Sequence, residues 1–183
     1  MKKFFIFLLL IISCHPEGDD NDFETTPYSL IYPSDVFPTM LIPEDNLLTQ
    51  EGVSLGKKLF FDPILSSNNA ISCASCHIQA NSFSDPNQYS IGVNGDFGFR
   101  NAFSLVNIGW NSSFNWDGSA SSLENQVFEP VTNPIEMANN WEQVENDLNA
   151  SSEYRNLFKQ AFNTDCIDST HVAKAIAQFE RTL

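Results

Sequence analysis

Apolar and polar positions divide the chain into distinct stretches. Phe4 to Ile12 form an unbroken apolar run behind the basic pair Lys2 and Lys3, and Ser13-Cys14 follows it. That run is too short to span a bilayer. A basic start, a brief apolar core and a small residue at its end are the parts of a signal peptide over residues 1–13. From residue 14 to about 45 the pattern has little helical period and carries Pro16, Pro27, Pro33, Pro38 and Pro43 among acidic and polar residues. This predicts a tether leading into an extended segment. Helical spacing begins over Gly52 to Phe61, where Leu55, Leu59 and Phe60 share a face and Asp62-Pro63 closes the run. Ser66 to Asn115 is rich in Ser, Asn and Gly without sustained period, as expected of loop built around a ligand.

Helical spacing returns after Trp116. Ser121-Ser122-Leu123-Glu124 offers a Ser three residues before a Glu, the arrangement of a reciprocal capping box, and Pro130 is expected to end that helix early. A further helix is expected over about Trp141 to Ala161. Another is expected from Thr170 to the C-terminus, with Val172, Ile176, Phe179 and Leu183 on its apolar face. No strand pattern or internal repeat stands out. The reading is an all-α domain over residues 46–183 with long loops.

Composition narrows the partners. At 183 residues, with 42% hydrophobic content and 16 Phe, the chain can build one real core. Its 23 carboxylates against 9 Lys and Arg give a formal charge of −14, which repels nucleic acid and anionic lipid and suits a basic protein partner. The scattering of the acids fits a purely solubilising role as well. Ile11-Ile12-Ser13-Cys14 resembles a lipobox, which implies cleavage before Cys14 and its acylation. The expected location is the bacterial cell envelope, periplasmic, with the membrane touched by a lipid anchor only.

Cys73-Ala74-Ser75-Cys76-His77 is the sequence feature most specific in its chemistry. Two thiols three residues apart, followed at once by an imidazole, can form thioethers to the vinyl groups of one haem c while the His ligates its iron. A thioredoxin-like reading needs a βαβ context, and structural zinc needs further ligands, for which Cys166 and His171 lie far off in sequence. A Cys73–Cys76 disulfide is the remaining alternative. Covalent haem by itself fits an electron carrier and an enzyme equally.

Flanking residues carry a resemblance. Leu55-Gly56-Lys57-Lys58-Leu59-Phe60-Phe61-Asp62-Pro63, Arg100-Asn101-Ala102, Trp116-Asp117-Gly118, Ser122-Leu123-Glu124-Asn125-Gln126 and Asn133-Pro134-Ile135-Glu136-Met137 are similar, in order and spacing, to the N-terminal half of the bacterial di-haem cytochrome c peroxidases. That family includes the enzyme that matures methylamine dehydrogenase. The resemblance implies a helical cytochrome c-like domain around a peroxidatic haem, with hydrogen peroxide as substrate and a small cytochrome or similar electron donor as partner. It implies that Glu136 moves the peroxide proton, that Gln126 lies near the peroxide pocket, and that Trp116 relays an electron. It also implies that Asn101 contributes to a calcium site. Taken alone, Trp116 would read as core and the other three as ordinary polar residues.

Departures from the pattern sharpen these expectations. Eight residues before Asn101, where many members carry a histidine that caps the iron, stands Val93, which cannot ligate it, so that the sixth position is either open or filled by another group. Met40, Met137, His15 and His171 have no claim on it from sequence. Ser119 and Phe103 replace a common Arg and Pro. No second Cys-x-x-Cys-His follows, so the chain reads as a truncated product or a piece that relies on a separate second-haem domain. The alternatives in function are a mono-haem electron carrier without turnover and oxidation of a protein substrate.

Overall fold

The computed structural model describes residues 23–183. The apolar run from Phe4 and the lipobox Cys14 lie outside the described residues. Among these residues the regular structure is helical, and extended pairing is limited to isolated antiparallel bridges.

The first helix, α1 (Gln50–Phe61), starts where Thr49 accepts a hydrogen bond from the Gly52 amide at 3.0 Å, and it stops before Pro63. Leu55, Leu59 and Phe60 are fully buried, each contributing about 1.5–3 kcal/mol over exposure. The partner of α1 is α6 (Ser169–Glu180), whose residues from Val172 to Glu180 are buried apart from Lys174. The two helices can cross closely because of Gly56: a Cβ there would lie 1.9 Å from the Ala175 carbonyl oxygen.

Between them in sequence come α2 (Cys73–Cys76), α3 (Leu123–Thr132), α4 (Trp141–Ala150) and α5 (Ser152–Phe162). Three expectations change. Ser122, not Ser121, caps α3, accepting from the Asn125 amide at 3.1 Å. Glu124 is drawn elsewhere, into a two-point ion pair with Arg181 at 2.8 and 3.1 Å. Pro130 does not end α3, which runs on to Thr132. Val131 is buried there, and the carbonyls of Pro130 and Val131 accept from Met137 and Asn139, so the turn beyond the proline is held from outside the helix. The long helix expected over Trp141 to Ala161 is two, broken at Ser151, which closes α4 through its amide and opens α5 through its hydroxyl.

Residues 23–48 lie against this bundle. Pro27 bridges Thr49, Met40 is buried, and the Trp110 indole donates to the Pro38 carbonyl at 2.8 Å. Asn46 and Gln178 hydrogen-bond each other at 2.9 Å, tying this segment to α6. The irregular stretch expected over Ser66 to Asn115 runs on to residue 121, broken by the short turn α2 and shaped by the bridges Ile78–Ser84, Ile91–Phe97 and Phe114–Ala120. Cys166 falls in the connection before α6.

Candidate haem site

The turn α2 is four residues long and stands on local bonds. The Ser72 amide donates to Ser75 Oγ at 3.0 Å, and the His77 amide donates to the Cys73 carbonyl at 2.9 Å. One helical turn therefore carries Cys73, Cys76 and His77 on neighbouring positions of a single face. Both thiols are free, so the disulfide alternative is not what the structure holds. Burial pushes the Cys73 thiol up to about 12 and raises Cys76 as well, so neither presents a reactive thiolate.

His77 is held by one ring nitrogen. Its Nδ1 lies 3.0 Å from the Phe83 carbonyl oxygen, which fixes the tautomer with the proton on Nδ1 and the lone pair on Nε2. The carbonyl is aimed by an unusual stretch of backbone: Ser82 and Phe83 both have positive φ, 57° and 53°. Such a conformation is costly for a bulky residue and tends to accumulate at functional sites. Burial lowers the imidazole pKa, with the Phe83 carbonyl opposing, which favours the neutral form that can bind a metal.

Beside this turn lies a cavity of about 460 Å³. Cys73, Cys76 and His77 line it, with Leu65, Ile71, Phe103, Val127, Val131 and Ile176 giving it an apolar surface. Size and lining suit a flat, apolar macrocycle. The donor set suits it too, since two half-buried thiols could become neutral thioethers and a tethered imidazole offers one lone pair.

The same cavity receives Glu136 and Gln126. Glu136 belongs to a turn pinned from several directions. Its carbonyl accepts from the Val93 amide at 2.8 Å, the Met137 carbonyl accepts from the Ser67 amide at 3.0 Å, and the Met137 amide donates to Pro130. Gly92 is pressed against this turn so tightly that a Cβ would lie 2.0 Å from the Ile135 carbonyl oxygen. Asn133 Nδ2 donates to Glu136 Oε1 at 2.9 Å, and among the described residues nothing hydrogen-bonds Oε2. Burial, then the nearby Glu129, raises the Glu136 pKa against the Asn133 bond.

The remaining expected residues divide. Trp116 is not core: it is 63% exposed, its indole donates to the Asn101 carbonyl at 2.7 Å, and it still lines the cavity. Asn101 holds the loop before it, donating to the carbonyls of Asp85 at 3.0 Å and Asn87 at 2.6 Å. Among the described residues no group of three His, Cys, Asp or Glu side chains forms a metal cage. Val93 contributes its backbone and is not among the cavity-lining residues. Sequence reasoning gave Met137 no role, yet it is buried in the cavity wall. It also passed over Glu180, which lines the cavity at the end of α6. The available signal was its position: Glu180 continues the apolar stripe of Val172 and Ile176 at helical spacing, where a carboxylate is out of place.

Comparison with known proteins agrees with the geometry. The family model described as "Di-haem cytochrome c peroxidase" matches residues 50–183. The methylamine utilization protein MauG of Methylorubrum extorquens is 41% identical over 146 residues, covering 77% of this chain and 40% of that protein. The cytochrome c551 peroxidase of Nitrosomonas europaea is 41% identical over 129 residues, covering 70% and 39%. A crystal structure of a MauG-like protein associated with microbial copper homeostasis superposes with a TM-score of 0.78 at 32% identity, covering 85% of this chain and 46% of that one. The chain thus spans about 40% of the length of the curated relatives it matches. No helix among the described residues is long and apolar enough to cross a membrane. With a helical fold, a cavity around Cys73, Cys76 and His77, and the match over residues 50–183, the chain belongs to the di-haem cytochrome c peroxidase family.

Proposed function

We propose that this domain would hold one haem c through thioethers at Cys73 and Cys76, with His77 offering Nε2 to its iron, and that it reduces hydrogen peroxide to water with electrons from a small cytochrome or similar donor. The observation that carries the reading is the single cavity in which Cys73, Cys76 and His77 meet Glu136. The bound haem supplies the iron that exchanges electrons with peroxide. His77 Nδ1, tied to the Phe83 carbonyl, holds the ring in place and makes Nε2 the basic nitrogen. Asn133 orients Glu136 through Oε1, leaving Oε2 for the substrate. The carboxylate accepts a proton from one peroxide oxygen and delivers it to the other, so that water departs rather than hydroxide. Two electrons and two protons then balance one peroxide against two waters. The raised pKa of Glu136 brings it nearer to neutral pH, where one group can both take and return a proton.

Trp116 reaches from the cavity to the surface, as an electron relay requires, and exposed Phe99, which also lines the cavity, offers an apolar landing for a donor or a second haem domain. Asn101, which fixes the Trp116 loop, is proposed to serve a calcium site when such a domain is present. The apolar run from Phe4 and the lipobox-like Ile11-Ile12-Ser13-Cys14 support a periplasmic, lipid-anchored location. Peroxide consumption by the haem-loaded chain with a reduced cytochrome tests the reading. Turnover is expected, and a haem-loaded chain that exchanges electrons with the donor yet leaves peroxide untouched would reduce it to an electron carrier.

A further inference from the structure

Glu180 is a buried acid that the proposed chemistry does not use. It closes α6 four residues after Ile176, is 4% exposed, and lines the cavity together with Cys73. Its Oε2 is buried without a hydrogen-bond partner. The adjacent cation, Arg181, gives its guanidinium to Glu124, Nη1 to Oε1 at 2.8 Å and Nη2 to Oε2 at 3.1 Å. One cation therefore serves two carboxylates.

The charged and titratable groups around Glu180 are few. Arg181 adjoins it on α6, Glu124 approaches from α3, and the Cys73 thiol approaches from α2. The charged side chains of α1 are engaged or turned elsewhere: Lys58 pairs with Glu153, Glu51 accepts from the Thr26 amide, and Lys57 lines a surface groove beside Phe179. Burial, opposed by Arg181 and reinforced by Glu124, pushes the carboxyl up to about 8. An acid in such surroundings responds strongly to any change of charge in the cavity, because a low-dielectric wall screens little.

Resting on the haem reading above, we propose that Glu180 couples one proton to the redox state of the haem. When the haem gains an electron from its one-electron donor, the cavity loses one positive charge and the Glu180 carboxylate takes up one proton from solvent. When the electron leaves, the proton is released. One O–H bond forms or breaks per electron, so charge in the cavity wall stays balanced. Glu180 is neither near His77 in sequence nor hydrogen-bonded to it, so the coupling is electrostatic and separate from ligation.

The test is a spectroelectrochemical titration of the full chain with covalent haem, across about pH 6 to 9. The midpoint potential is expected to fall as pH rises in the unmodified chain and in Glu136→Gln, and to lose that slope in Glu180→Gln. A pH-independent potential in the unmodified chain, or an unchanged slope in Glu180→Gln, overturns the inference. Should Glu180→Gln fail to take up haem, the reduced-minus-oxidised infrared spectrum of Glu136→Gln decides. A protonated-carboxyl band gained on reduction supports the coupling, and no such gain refutes it. Haem that is lost on a denaturing gel would sink the haem reading itself. Retained haem with a flat potential would sink only the role of Glu180.

Discussion

The two walls of the cavity are built in opposite ways. The wall bearing Cys73, Cys76 and His77 is one helical turn, stabilised by bonds among residues a few positions apart. The wall bearing Glu136 is assembled from afar, with its turn held by Ser67, Val93 and Pro130 and its Oε1 by Asn133. The first fixes the identity of a group that can attach there. On the proposed haem reading, the second fixes what that group can do. Attachment therefore depends on residue types at a spacing, whereas reactivity depends on packing among distant segments.

Breaking the local wall should have the largest effect. Cys73→Ala with Cys76→Ala is expected to abolish covalent haem, read as loss of the haem band on a denaturing gel, with the helical fold otherwise kept by the α1–α6 core. Haem retained after acid-acetone extraction of this variant would place the thioethers elsewhere.

Glu180 belongs to neither wall's chemistry and marks a cost where they meet. Its carboxyl is held near 8 in the folded chain against an ordinary value of 4.5, so the folded state binds more protons than the unfolded one between those values. Its contribution to stability is fully present below 4.5 and is lost as pH rises through about 8. The loss is on the order of a few kcal/mol, and Glu180→Gln should remove it. Urea unfolding at the two ends of this window checks the sign: greater stability at the alkaline end in the unmodified chain would contradict it.

A smaller effect sharpens the assembled wall. Gly92→Ala puts a methyl group against the Ile135 carbonyl and is expected to destabilise by roughly 1–3 kcal/mol while displacing Glu136. Covalent haem should survive. Thermal unfolding and peroxide turnover together measure this, and a variant unchanged in both would show that the Gly92 contact does not position the acid.

Legibility in the sequence follows the same division. Cys73-Ala74-Ser75-Cys76-His77 is readable because its chemistry is local, and so are α1 and α6, whose apolar spacing is regular. Pro130 misleads because Met137 and Asn139 bond to the carbonyls around it, which a helix taken alone would not provide. Glu124 looks like a capping residue, but its partner Arg181 lies 57 residues away. Ser151 divides one expected helix into two because a single serine can close α4 and open α5. Glu136, Gln126 and Trp116 stand out only through the family resemblance. Nothing in their own neighbourhoods announces a shared cavity, and Trp116 is exposed where its type suggests core. Met137 was passed over because a cavity wall made of side chains from separate elements leaves no spacing to read, whereas Glu180 was legible from its place on the apolar stripe of α6.

The claim that the assembled wall does the chemistry is tested most directly by mixing peroxide with haem-loaded Glu136→Gln in a stopped-flow instrument, with cyanide binding as the control. With Val93 where a capping histidine would stand, the unreduced protein should bind cyanide readily, and Glu136→Gln should leave that binding intact. The same substitution should slow the peroxide reaction by roughly a hundred-fold or more, as removal of a positioned acid-base group does. Peroxide reacting at the unmodified rate, or an unmodified haem that is low-spin and indifferent to cyanide, would contradict the account.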